Sequence, residues 1–192
     1  MSERPRIEEA FLLAADLHRG HTRKRTETPY IFHLMAVAAL VAEYGGDEEQ
    51  IVAAFLHDAI EDAGGASTRE LIRERFGDDV VRLVDGCTDT DEDPKPPWRP
   101  RKEAYLARLR RESPRVRLVS TADKVHNARS IVADLRAGED IWERFTGGKE
   151  GCLWYYDAVL EAARDGWSHP VLDELTRTVT ILRRLAAEEE KG

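Results

Sequence analysis

The chain has 192 residues, long enough to bury a hydrophobic core without disulfide or metal staples. Its formal net charge of −8 argues against nucleic acid or an anionic lipid surface as a partner, since both are polyanions, so an anionic substrate must be met by a local basic patch. The longest apolar run, Leu34 to Ala42, falls far short of the roughly 18 residues of a membrane span, and no signal-peptide core follows Met1. Cys87 and Cys152 have no CxxC spacing; the expectation is a soluble cytoplasmic protein with free thiols.

Leucine, alanine, glutamate and arginine dominate and strand-like alternation is scarce, which makes all-α the expected class, a single helical bundle over 1–192. Ile7, Phe11, Ala14, Ala15 and His18 have the spacing of a first helix over residues 5 to 19, ended by Gly20. The densest basic cluster of the chain follows, His18-Arg-Gly-His21-Thr-Arg23-Lys24-Arg25. Pro29 and Tyr30 open a second helix through Glu43, with Ile31, Met35, Ala38 and Val41 or Ala42 on its apolar side and His33 in its first turn.

After Gly45-Gly46, Asp47 with Gln50 makes a capping-box start for a central helix reaching Asp62. Six apolar residues from Ile51 to Leu56 run straight into His57-Asp58-Ala-Ile-Glu61-Asp62. At 100° per residue, His57, Glu61, Asp58 and Asp62 fall at about 0°, 40°, 100° and 140°, in one polar sector of a buried helix. Burying an imidazole and three carboxylates requires a counter-charge, and a divalent cation is the most economical one. The competing reading is a helix passing from core to surface, with the four residues as its solvated end.

Ser67 with Glu70 caps a short helix ending at Phe76-Gly77, and another runs from about Asp79 to Gly86. Residues 88 to 100, acidic and proline-rich, read as a long loop and a candidate lid. An Arg-rich amphipathic helix over 101 to 111 comes next, and Ser113-Pro114 starts a longer one that carries Asp123, Lys124, His126, Asn127 and Arg129 and continues to Gly138. Asp123, His126 and Asn127 share a face. Trp142 and Phe145 lie in a short connection, Trp154, Tyr155 and Tyr156 in a helix from about Lys149 to Asp165, and Leu172, Leu175, Val179, Leu182 and Leu185 form the core stripe of the last helix, before a frayed tail at 188–192.

Taken together, His33, His57, Asp58 and Asp123 supply two imidazoles and two carboxylates from three separate helices, a mixed set that suits Mn²⁺, Fe²⁺ or Zn²⁺ and leaves room for water or substrate. The order H…HD…D resembles the HD-domain metallophosphohydrolases. In its fuller form, His18-Arg-Gly-His21-Thr-Arg23-Lys24, Pro29-Tyr30-Ile-Phe-His33, Phe55-Leu-His57-Asp58-Ala-Ile-Glu61-Asp62, Phe76-Gly77 and Ala122-Asp123-Lys124-Val-His126-Asn127, it is similar to the hydrolase domain of Rel/SpoT-type alarmone enzymes and of small stand-alone alarmone hydrolases.

The resemblance covers residues 10 to 130, with helices over 149–188 expected to pack on that core. It implies a Mn²⁺-dependent all-α domain that removes the 3′-pyrophosphate of (p)ppGpp. His33, His57, Asp58 and Asp123 would be ligands to one divalent metal, and Glu61 with Asp62 the pair that prepares the attacking water. Arg23 would pack on the purine with Lys24 beside it, Asn127 would hold the ribose or phosphate end, and Lys124 and Arg129 are further phosphate candidates. His21 stands where the family usually has Gln, Leu34 where it usually has Pro, and Gly64-Gly65 is an insertion; these bear on substrate choice rather than on hydrolysis. No nucleotidyl-transfer domain is expected in the chain. An HD phosphohydrolase of another nucleotide, such as an adenine alarmone or NADPH, and a non-catalytic nucleotide-sensing module remain alternatives; oligomeric state is open.

Overall fold

The computed structural model describes residues 4–24, 26–92 and 94–188. Arg25 of the basic cluster, Asp93 of the acidic loop and the tail after Glu188 lie outside the described residues. The elements are α1 (Arg6–Leu17), α2 (Ile31–Glu43), α3 (Glu48–Leu56), α4 (Ala59–Asp62), α5 (Ala66–Phe76), α6 (Asp78–Cys87), α7 (Trp98–Leu109), α8 (Pro114–Arg136), a 3₁₀ turn (Trp142–Arg144), α9 (Gly148–Arg164) and α10 (Pro170–Glu188). Among the described residues no strand forms, and Thr22 and Pro29 make an isolated antiparallel bridge. The class is all-α, and none of the described helices is long and apolar enough to cross a membrane.

Two compact units divide the chain. One holds α1 to α6 and the start of α8 as far as Ser120; the other holds α7, α8 from Thr121, the 3₁₀ turn, α9 and α10.

In the first unit α3 is the central helix, packed against α1, α2 and α6. Its Val52, Ala53, Ala54 and Leu56 are wholly buried, with Leu13, Leu34, Ile72, Val80 and Val84 in the same apolar cluster. Its start is the expected capping box: Gln50 N–H donates to Asp47 Oδ1 at 2.9 Å and Asp47 N–H to Gln50 Oε1 at 3.0 Å. A close approach fixes one glycine nearby. A Cβ on Gly86 of α6 would lie 2.6 Å from Val116 Cγ1, so Gly86→Val should overpack the unit and lower stability by about 1–3 kcal/mol. Chemical denaturation checks this.

Several local expectations are corrected. The helix expected to run unbroken to Asp62 is interrupted at His57-Asp58, between α3 and α4. His57 Nδ1 donates to the Ala54 carbonyl at 2.8 Å, engaging the oxygen that the Asp58 N–H would take in a continuous helix. Ser67 is no cap: α5 starts one residue before it, and its hydroxyl turns back to the Gly64 carbonyl. Pro29 and Tyr30 precede α2, because Pro29 is held in the bridge with Thr22. On α2 the buried face is Leu34, Val37, Ala38 and Val41, leaving Met35 at 41 % exposure; in a helix apolar all round, packing rather than periodicity picks the inward side. The loop ends earlier than expected, since α7 begins at Trp98, and Pro100 is accommodated in a first turn whose N–H groups have no intrahelical acceptor.

In the second unit α9 packs against α7 and α10, burying Tyr105, Leu109, Tyr156, Val159, Leu172, Leu175, Val179 and Leu182. Tyr156 is therefore core, whereas Trp154 and Tyr155 are half-buried and meet Trp98 with ring centroids 5.9 and 6.5 Å away.

Candidate metal centre

His33 comes from the first turn of α2, and His57 and Asp58 from the break between α3 and α4. One ligand atom from each of the three lies within 4.8 Å of the others. Asp58 Oδ2 is 3.0 Å from His57 Nε2 and 3.5 Å from His33 Nε2, while both imidazoles are about as buried as the core around them, at 2 % and 1 % exposure. Ligands bound at about 2.1 Å to one ion stand about 3.0–3.5 Å apart, so this spacing fits a shared metal.

The contact at the break also sets the chemistry of His57. A carbonyl only accepts, so the contact to Ala54 places the ring proton on Nδ1 and leaves the Nε2 lone pair toward Asp58. Two acceptors 3.0 Å apart call for a cation between them. The donor set therefore fits a divalent metal.

Tyr30, which sequence reasoning placed at a helix start and in the motif leading to His33 but gave no role, belongs to the centre. Its hydroxyl donates to Asp58 Oδ2 at 2.6 Å. Its ring stacks on His18, with centroids 5.1 Å apart, and meets His33 edge-on at 5.3 Å. The signal that could have found it is its place three residues before His33, one turn away on the same side of the chain. Tyr30→Phe keeps the stack and removes the bond to Asp58, and should weaken metal affinity about 10-fold, measured by competition with a chelator.

His18, buried at 3 % exposure, makes a 3.3 Å Nδ1–Nδ1 contact with His21. Burial pushes its pKa down to about 4, the nearby Asp58 carboxylate opposing this and the other histidines reinforcing it, so it is neutral at physiological pH. Both histidines line a cavity of about 280 Å³ with Gly20, Thr22, Pro29 and Tyr30. Arg23 lies over the Tyr30 ring at 5.7 Å from its centroid, and Lys24 is exposed. The basic motif and the ligands thus meet through Tyr30.

Glu61 and Asp62 follow on α4, where the Asp62 N–H closes back on the Asp58 carbonyl at 2.9 Å. Lys95, from the loop after α6, reaches Glu61 Oε1 at 2.9 Å and Asp62 Oδ1 at 3.6 Å. Burial, and then the Asp58 and Glu61 charges, push the Asp62 carboxyl up to about 6 against the pull of Lys95.

The remaining expected residues lie on α8 in the second unit. Asp123 is buried and accepts from Lys124 through Oδ2 and from Asn127 through Oδ1, the latter at 2.5 Å. Burial works against the Lys124 charge, but Asp123 holds its ammonium well above the ordinary lysine value. Arg129 forms an ion pair with Glu174 of α10 at 2.7 Å.

Residues 10–152 match the HD domain family. The chain belongs to that family. Membership implies a divalent metal site, and in this HD domain His33, His57 and Asp58 fit one. The bifunctional (p)ppGpp synthase/hydrolase SpoT of Escherichia coli K12 is 39 % identical over 132 residues, 66 % of this chain but 18 % of that protein. The guanosine-3′,5′-bis(diphosphate) 3′-pyrophosphohydrolase of Aquifex aeolicus is 36 % identical over 125 residues, again 18 % of its length. The chain thus spans less than a fifth of these curated relatives. Among solved structures, a metazoan ortholog of SpoT described as hydrolysing ppGpp superimposes with a TM-score of 0.73 at 27 % identity, covering 95 % of this chain and 99 % of that one. A protein from Listeria monocytogenes EGD-e gives 0.70 at 30 % identity, over 79 % and 99 % of the two chains.

Proposed function

We propose that this HD domain is a Mn²⁺-dependent phosphohydrolase that removes the 3′-pyrophosphate of (p)ppGpp, acting in the cytoplasm as one domain over 1–192. The observation that carries the reading is the convergence of His33, His57 and Asp58 directly before the Glu61-Asp62 pair. The likeness to a ppGpp-hydrolysing ortholog across nearly the whole of both chains supports the substrate.

In this reading His33, His57, Asp58 and Asp123 would be the metal ligands. A divalent ion held there supplies Lewis acidity toward phosphate oxygens and acidifies water. Glu61 and Asp62 are the pair that prepares the attacking water, holding it and taking its proton. Arg23 covers the purine with Lys24 beside it, and Asn127, Lys124 and Arg129 serve the ribose and phosphates. Arg23→Ala should raise KM for purine substrates about 10-fold and lower kcat by less, read from steady-state kinetics.

The test of the whole reading is product analysis with Mn²⁺, offering ppGpp, pppGpp, their adenine counterparts and NADPH in parallel. Pyrophosphate released from the 3′ end of the guanine compounds is the expected result. Release of inorganic phosphate alone, or turnover of NADPH alone, would keep the HD chemistry and overturn the substrate; bound metal without turnover would replace the enzyme by a sensor.

A further inference from the structure

The loop between α6 and α7 engages both oxygens of Glu61. Lys95 Nζ stands 2.9 Å from Oε1, and the Asp89 N–H donates to Oε2 at 3.2 Å. The same ammonium reaches Asp62 Oδ1 at 3.6 Å. The loop is moored at its start rather than draped: Thr88 Oγ1 donates to the Val84 carbonyl at 2.9 Å, and Arg69 of α5 binds Asp85 and Asp91, each at 2.8 Å. Asp91 of the loop thus faces Arg69, while Lys95 turns to the carboxylate pair.

An ammonium spanning Glu61 Oε1 and Asp62 Oδ1 competes with water for the acceptor sites through which the pair would take a proton. Its departure leaves both carboxylates a free acceptor site for water. The contact that can yield is Lys95: it is 44 % exposed, and an exposed lysine pair is worth only about 0–1 kcal/mol, less than the attraction of a polyphosphate.

We propose that Lys95 is a specificity residue that exchanges the Glu61-Asp62 pair for a phosphate of the substrate. One side chain then binds the anion and frees the groups that activate water, so substrates whose phosphates do not reach Lys95 leave the pair engaged. This rests on the roles proposed above for Glu61 and Asp62.

The test compares Lys95→Met and Lys95→Arg with the unaltered protein. Lys95→Met should raise KM for ppGpp about tenfold with kcat at or above the starting value, and Lys95→Arg should restore KM. An unchanged KM, or a kcat that collapses at constant KM, overturns the proposal. Calorimetric titration with inorganic pyrophosphate separates this from the substrate reading. If ppGpp is not turned over at all, a tenfold weaker pyrophosphate affinity in Lys95→Met that is reversed in Lys95→Arg still supports the phosphate contact, and equal affinities in all three proteins overturn it.

Discussion

Asp58→Ala empties the metal centre and reduces turnover to background. Asp58 Oδ2 is the atom that approaches both imidazoles, at 3.0 and 3.5 Å, so without it the converging trio is reduced to two imidazoles and loses its only carboxylate. Losing an outer partner of a ligand costs about 10–100-fold in affinity, and losing the carboxylate itself should exceed about 100-fold. Asp58→Asn gives the sharper comparison. It preserves an acceptor for the Tyr30 hydroxyl and the shape of the turn, so it should fold like the parent and still lose the metal. Elemental analysis after dialysis reads both variants, and full occupancy in either would show that the ligands lie elsewhere.

Glu61→Ala and Asp62→Ala give the opposite pattern, with metal retained and turnover lowered by about 10²–10⁴-fold, the usual contribution of a positioned acid or base. Neither side chain belongs to the converging trio, and both sit on the short α4 just after it. Because both groups would act in the reaction rather than in binding, the loss should fall on kcat with KM little changed. Glu61→Gln separates proton transfer from hydrogen bonding, since the amide keeps the contact from the Asp89 N–H and cannot take a proton. Unchanged turnover in both alanine variants would remove the pair from the mechanism.

Much of this site was legible because its chemistry is dense in sequence. His57 and Asp58 are adjacent, and Glu61 and Asp62 follow within four residues, so any helical path keeps them together; the capping box at Asp47 fixed where α3 begins. What was hidden depends on side chains reaching across the fold. The break after Leu56 coincides with one imidazole bonding to one carbonyl, in a stretch where each residue is compatible with helix. Tyr30 looked like the start of α2 because its hydroxyl finds Asp58 only after two helices have packed. Lys95 sits in a proline-rich segment with no periodicity, and its partners are 33 and 34 residues earlier in the chain. The inward face of α2 was unreadable for another reason: between His33 and Glu43 every residue is apolar, and such a run carries no directional pattern.

The bond from His57 Nδ1 to the Ala54 carbonyl spans three residues and draws both partners from the end of α3. The imidazole is thus aimed by the end of its own helix, with no distant element needed to hold the ring. One face of the centre is therefore built from a few consecutive residues, and a substitution far away in the chain can alter what reaches the metal without turning this ring.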